Sequence, residues 1–403
     1  MKQQIGSIKR IGKSWYGIWR EDVIENGQTV RKQRFQKLCD VDDRYRTKAD
    51  VRPLLAEKLR ALNEGRTDAR SSLTLAAFVA EYFEPYAREN FKPSTVHGYS
   101  KLWETLNPRV GELRLRDFKT VDAANTLTYF AGKGWGRSSL KHAKSLLSGI
   151  FTYAKNLGVL DGVNPVQGTI IPRKAAAPAE MHASRPDEVL AILDVLKRAN
   201  DLEERRKLQA QTAIALMFFA GLRPCEARGA RWEYYDGKTL NVKQSVWGKH
   251  TTDPKTASAA KPVLVIEPLR ELLAELRDVE GNPLDGPILR GVKREDGKPK
   301  PLNLNWLARE VVRPALRNPK NYRATKEWRP IKWQGFYSLR RGIATHITTI
   351  THDPMAAKGL LRHSNVNTTL IHYIKDVPEV TANGMAQVEQ LFSKLDAGEQ
   401  VVQ

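Results

Sequence analysis

Apolar positions along this 403-residue chain change their spacing from one region to the next, and each spacing predicts a different kind of element. Residues 1–45 hold strand-like runs, "SWYGIWR" and then "GQTVRKQRFQKL", separated by "EDVIENGQ", in which Asn26-Gly27 is a hairpin-turn signal. Helical spacing follows in "KADVRPLLAEKLRALNEG", with Val51, Leu54, Leu55, Leu59 and Leu62 apolar and Gly65 as the stop. Residues 72–166 read as helices: "LTLAAFVAEYFEPYAREN" after Ser71-Ser72, "PSTVHGYSKLWETLNPRVG" after Lys92, and "GRSSLKHAKSLLSGIFTYAKNLG" before "VNP". The last of these puts Leu140, Leu147, Ile150 and Phe151 on one face. Residues 168–184 lose periodicity and gain Ala and Pro, as a linker does. Beyond them helices alternate with a short β element, "LNVKQSVWGK" and "KPVLVIE", flanking the turn-rich "HTTDPKTASAA". There is no internal repeat and no low-complexity tract.

Charge narrows the functional classes. The net charge is +21, and a field of that sign favours a polyanion, because each Lys or Arg that neutralises a phosphate releases a counterion. Arg137, Lys141 and Lys144 recur at helical spacing and form a candidate DNA-contacting stripe; a solvated face is the ordinary alternative. Cys39 and Cys225 are too few for a disulfide framework or a zinc cluster. No run is apolar enough to span a bilayer and "MKQQIGSIKR" does not read as a secretory leader, so the expectation is a cytoplasmic, nucleoid-associated protein with no membrane role. "RIGKSW" is not a phosphate-binding P-loop, since Ser7 stands where that loop needs its first Gly.

Four segments in the C-terminal half place polar residues where a plain core would not want them. "FFAGLRPCEARGARW" carries Arg223 after an apolar run, with Glu226 three residues on to orient it. "DPKTAS" sets Lys255 in a turn, and "GFYSLRRGIATHI" opens an amphipathic run with Tyr337, Arg340 and Arg341. "LLRHSNVNTTLIHYIKD" holds His363 and, ten residues later, Tyr373. Together they suit attack on a phosphodiester without a metal. Two guanidiniums can chelate the non-bridging oxygens, and a histidine can add a hydrogen bond. A lysine can protonate the leaving oxygen, and a tyrosine can serve as a reversible nucleophile. Each residue alone has a bland reading: Arg223 as a structural ion pair, Tyr337 and Tyr373 as packing aromatics, His363 with His372 as a metal pair. No carboxylate or Cys sits at familiar ligand spacing for the last, so neither metal nor cofactor is expected.

In order and spacing these motifs resemble the tyrosine recombinases, the phage-type integrases. "AGLRPCEARGARW" is similar to their first arginine motif, "DPKTAS" to their hairpin lysine, "YSLRRGIAT" to their H-x-x-R box and "LRHSNVNTTLIHY" to their His-to-Tyr segment. The resemblance implies that Arg223 and Arg340 clamp the scissile phosphate with help from His363. It makes Lys255 the general acid, Tyr373 the nucleophile of a 3′-phosphotyrosyl intermediate, and Glu226 the holder of Arg223. It also implies a multidomain fold, mainly α with small β elements. Residues 1–66 would be an arm-type DNA-binding domain with a three-stranded sheet plus helix, and 72–167 a helical core-binding domain. Residues 185–376 would be an α+β catalytic domain, and 377–403 a tail helix with an apolar stripe of Met385, Val388, Leu391, Phe392 and Leu395. The implied activity is site-specific recombination for integration or excision of a mobile element such as a prophage. The implied partners are double-stranded attachment sites, three further copies of the chain, a directionality factor and a host DNA-bending protein.

Three positions depart from the pattern. Tyr337 replaces the usual His of the box; a phenol, with pKa about 10, is a poor base near neutrality. Arg341 stands where a second His is common. Arg362 replaces the Gly before the histidine, which is expected to bar an easy positive φ there. The alternatives are a DNA-binding accessory protein that keeps the fold without turnover, and relaxation of DNA by the same phosphotyrosyl chemistry, as in type IB topoisomerases.

Overall fold

A computed structural model describes residues 4–25, 27–63, 68–178, 180–254, 256–293, 297, 299–322 and 330–365. The chain divides into two compact units, Met1–Ala179 and Glu180–Gln403.

The first unit begins with an antiparallel sheet in the order β1 (Ser7–Ile11), β2 (Ser14–Glu25), β3 (Gln28–Asp40), followed by α1 (Lys48–Asn63). Alternate β2 residues Trp15 and Trp19, with Ile8 of β1, are buried against Val51, Leu55 and Leu59 of α1. Then come α2 (Leu75–Phe78), α3 (Glu84–Asn90), α4 (Pro93–Val110), α5 (Thr120–Gly132) and α6 (Arg137–Asn156). Leu140, Leu147, Ile150 and Phe151 of α6 are all fully buried in the centre of that helical core. The sheet and the helices also touch. Ile24 packs on the helical core, and its N–H donates to Ser72 Oγ at 3.0 Å. Arg116 Nη2 donates to Glu21 Oε1 at 2.9 Å.

The strand reading needs two corrections. β1 precedes the first strand expected from sequence, and β2 runs on through Glu25, inside the stretch taken as a separator. Burial continues to alternate there, but the inward position after Trp19 is Glu21, whose charge hides the period.

The second unit opens with α7 (Pro186–Lys197), α8 (Glu204–Phe218) and α9 (Pro224–Gly229). Four short strands follow: β4 (Thr239–Leu240), β5 (Ser245–Trp247), β6 (His250–Thr252) and β7 (Val263–Leu264); β4 pairs with β7 and β5 with β6. β6 therefore lies in a stretch expected to be turn alone, because Gly248 with φ 56° lets it fold back on β5. The unit continues with α10 (Glu267–Val279), β8 (Arg290–Lys293), β9 (Pro299–Pro301), α11 (Leu304–Leu307) and α12 (Arg313–Arg317), and ends its described part with α13 (Phe336–Thr351) and α14 (Pro354–Leu361). α8 is its axis: every residue from Lys207 to Phe218 is buried. Among the described residues no helix is long and apolar enough to cross a membrane.

Candidate active site

The site is assembled where the turn after α8, the helix α13 and the end of α14 meet. α8 ends in an apolar run, and Gly221, at φ 57°, turns the chain back; a Cβ there would sit 3.3 Å from Leu360 Cγ. Arg223 then precedes α9, with Pro224 at its first position and Glu226 at its third. Glu226 is 4% exposed, and its carboxylate takes Arg223 twice: the backbone N–H on Oε2 at 2.9 Å and Nη1 on Oε1 at 2.7 Å. The first bond is half of a capping box, so helix initiation and orientation of the guanidinium share one carboxylate. Arg223 keeps a third of its side chain exposed.

Arg340, on α13, is completely buried. It donates from Nη1 to the Gly221 carbonyl, from Nη2 to the Leu361 carbonyl at 2.7 Å, and from Nη2 to His363 Nε2 at 3.0 Å. A guanidinium has no acceptor, so His363 Nε2 carries the lone pair and the imidazole is neutral with its proton on Nδ1. The surroundings enforce that state. Burial, then the charges of Arg340, Arg223 and Arg362, push the His363 pKa down to about 4, with Glu226 opposing. α13 is itself anchored to the start of the unit. Ser184 N–H donates to the Ser338 carbonyl at 3.0 Å, and Gly342 lies so close to Ser184 that no Cβ fits. Arg341 belongs to this anchor, donating from Nε to the His182 carbonyl at 2.8 Å. Tyr337, on the same helix, is half exposed.

Arg362 overturns the expectation drawn from its identity. It caps α14 at φ 53°, ψ 44°, the left-handed conformation that a glycine would take without cost. The His363 N–H returns to the Lys358 carbonyl at 3.1 Å and the Arg362 N–H to Gly359 at 3.1 Å, which closes the helix end. The side chain explains the choice: it is 3% exposed, with Nη2 2.5 Å from Glu226 Oε2 and Nε 3.3 Å from the Ala259 carbonyl. Burial works against its charge and Glu226 supports it.

Arg223, Glu226, Arg340 and His363 thus come together, with Arg362 beside them. Sequence reasoning missed Arg362 as a participant; its signal was a charged residue between the apolar Leu361 and His363. Lys255 and Tyr373 lie outside the described residues, as do His372 and the apolar tail stripe. Arg137 and Lys141 are exposed on α6 in the other unit, whereas Lys144 is half-buried, with Nζ 2.5 Å from the Thr169 carbonyl. The described residues hold no group of three or more His, Cys, Asp or Glu placed to take a metal. What they offer is a cluster of three guanidiniums and one carboxylate around a neutral imidazole: an excess of positive charge that an anionic, oxygen-rich ligand would offset.

No family model matches the chain. A tyrosine recombinase XerC-like protein of Caldanaerobacter subterraneus subsp. tengcongensis is 21% identical over 394 residues, 91% of this chain and 94% of the relative. Tyrosine recombinase XerC of Salmonella typhi is 27% identical over 290 residues, 70% of this chain and 84% of the relative. Among solved structures, the Tn1549 transposon integrase in complex with transposon right end DNA superposes with a TM-score of 0.60 at 16% identity, over 79% of this chain and all of that one. A lambda integrase tetramer bound to a Holliday junction gives 0.52 at 18% identity, over 90% of this chain and 93% of that one.

Proposed function

We propose, from the premise that this chain belongs to the tyrosine recombinase family, that it is a site-specific DNA recombinase of the integrase type. The observation that carries the reading is the gathering of Arg223, held by Glu226, with Arg340 and neutral His363 in one cluster. Their cations stabilise charge on the non-bridging oxygens of a scissile phosphate. Tyr373 attacks phosphorus, forming the P–O ester to the 3′ strand end while the P–O5′ bond breaks. The phenol proton passes to solvent water as that ester forms, and the Lys255 ammonium protonates the departing 5′ oxygen. The tyrosyl ester keeps the bond energy for rejoining. His363, neutral and bonded through Nε2 to Arg340, supports the clamp from behind. Tyr337 serves as a hydrogen-bond donor rather than as a base.

The first unit supplies the grip. Tyr16 stacks on Phe35 at 4.8 Å on the sheet face away from α1, with Lys9 paired beside Tyr16 and Arg20 exposed along the strand. We read that face and the Arg137 and Lys141 side of α6 as DNA-contacting surfaces, in keeping with the +21 charge. A tetramer on paired attachment sites, exchange through a Holliday junction, residence on the nucleoid, and help from a directionality factor and a DNA-bending protein complete the proposal.

The test is capture of a covalent adduct. The full chain is incubated with a library of nicked duplexes randomised over the site, denatured in detergent, and the adduct mapped by mass spectrometry. A DNA adduct on Tyr373, absent in Tyr373→Phe, is the expected result. Absence of any adduct from the unsubstituted chain leaves the DNA-binding accessory reading in its place, and an adduct that survives in Tyr373→Phe removes Tyr373 as nucleophile. Cleavage that needs no second copy of the site favours relaxation over recombination.

A further inference from the structure

We infer that Arg362 is a positioning residue for the phosphate clamp: through the second oxygen of Glu226 it fixes the direction of the Arg223 guanidinium. This deepens the recombinase reading and rests on it.

Three observations converge. Arg362 accepts a left-handed backbone that costs a side-chain-bearing residue about 1 kcal/mol or more relative to glycine. A residue that merely ended α14 would be better as glycine, so the side chain must contribute what the backbone loses. Its guanidinium is buried where desolvation opposes a charge, and it meets Glu226 with a charge-assisted bond at 2.5 Å. Finally, Glu226 has two oxygens and both are committed to arginines: Oε1 to Arg223 Nη1, Oε2 to Arg362 Nη2 and the Arg223 N–H. Without Arg362 both oxygens would be held by Arg223 alone, so the residue and its carboxylate could shift together. Arg362 ties the carboxylate to the end of α14 as well, and that outside anchor sets its direction.

The same side chain reaches a second part of the pocket. Arg362 Nε donates to the Ala259 carbonyl, four residues past Lys255 in the sequence. Arg362 therefore ties α9, the end of α14 and the segment after Lys255 together at one guanidinium. It does this without replacing Arg340, whose donors go to Gly221, Leu361 and His363. The consequence is selective. Loss of Arg362 should loosen the hold on one non-bridging oxygen while leaving the fold and the DNA-gripping surfaces in place.

The experiment measures single-turnover cleavage by the full chain on the duplex recovered by covalent capture, made once with an ordinary scissile phosphodiester and once with a methylphosphonate. The methyl group removes the charge that an aimed guanidinium would neutralise. Arg362→Gly relieves the backbone and keeps the fold, so its melting temperature should stay close to that of the unsubstituted chain, and its DNA affinity likewise. Its cleavage rate on the phosphodiester should fall about 10- to 100-fold, the usual range for groups that orient a site from behind. On the methylphosphonate most of that deficit should vanish, and Arg362→Lys, which keeps the charge, should recover part of the phosphodiester rate. An undiminished rate in Arg362→Gly, or an equal loss on both diesters, overturns this inference while the recombinase reading stands. No cleavage of either duplex by the unsubstituted chain overturns both.

Discussion

Glu21 and Glu226 meet the same physical problem in separate units. Each is a buried carboxylate shared by arginines: Glu21 takes Arg116 at 2.9 Å with Arg34 at 3.8 Å, and Glu226 takes Arg223 at 2.7 Å with Arg362 at 2.5 Å. Their settings differ in what lies next to the pair. Beside Glu21 a second carboxylate, Asp117, takes Arg34 at 3.0 Å, so two acids serve Arg34 and Arg116, with Arg114 nearby. Beside Glu226 the next charged neighbour is Arg340, through His363, and no second acid joins the three guanidiniums among the described residues. A buried arginine–glutamate pair is thus no mark of a reactive site. What sets the Glu226 cluster apart is the preponderance of guanidiniums over acids among the described residues.

The sharpest break between the two clusters should come from Arg340→Met. It strips the donor from two buried carbonyls and from His363. Single-turnover cleavage should drop by about 10³ or more, in line with loss of a preorganised anion donor. The stability cost should be about 2–4 kcal/mol, read from denaturant melts. Arg116→Met in the other cluster should cost stability of the same order and leave cleavage at saturating DNA within about twofold, since Asp117 and Glu21 keep Arg34. Equal cleavage losses in the two variants would sink the distinction.

Next in size is the exchange of the two acids themselves. Glu226→Gln leaves Arg223 and Arg362 buried or half-buried without their counter-charge, so stability should fall by about 3 kcal/mol and cleavage by about 10- to 100-fold. Glu21→Gln should lower the melting temperature alone. A Glu21→Gln variant that melts normally but cleaves slowly would show that the sheet acts on the chemistry.

Why some of this was legible beforehand follows from the residues. Arg223 and Glu226 announced each other because helix capping and ion pairing use one three-residue spacing. Leu140, Leu147, Ile150 and Phe151 sit on one helical face and are all buried, so periodicity alone found that core. Glu21 could not be found this way. Its partner Arg116 is 95 residues away, and a charged residue at an inward strand position looks like the end of the strand. Arg362 failed for a related reason: residue preference at a left-handed position argues for glycine, and only the fold reveals a buried carboxylate within reach 136 residues earlier.

Acid should separate the clusters again, through His363. Its folded pKa is about 4 against an unfolded value near 6.5, so between those pH values the unfolded chain binds the extra proton. Stability is therefore intact above about pH 6.5 and falls as pH drops toward 4, by up to about 3 kcal/mol. The Glu21 cluster has no histidine among its bonded partners. Comparing melts of the unsubstituted chain and His363→Gln from pH 7 to 4 isolates the contribution. Parallel curves would mean that His363 takes up its proton at the same pH in the folded and unfolded chains, against its burial and its contact with Arg340.

The smallest expected effect contrasts two lysines on one helix. Lys141 is exposed on α6, so Lys141→Ala should leave the melt unchanged to within about 0.5 kcal/mol. If α6 lies along DNA, that variant should reduce the slope of log affinity against log salt by about one and weaken binding evenly across sequences. Lys144, three residues on, is half-buried and spends its ammonium on the Thr169 carbonyl at 2.5 Å. Lys144→Met should do the reverse, losing about 1–2 kcal/mol of stability while the salt slope holds. If both variants lower the slope, Lys144 exchanges its carbonyl for a phosphate on binding. If neither does, this face of α6 is only solvated and the proposed contact of α6 with DNA falls.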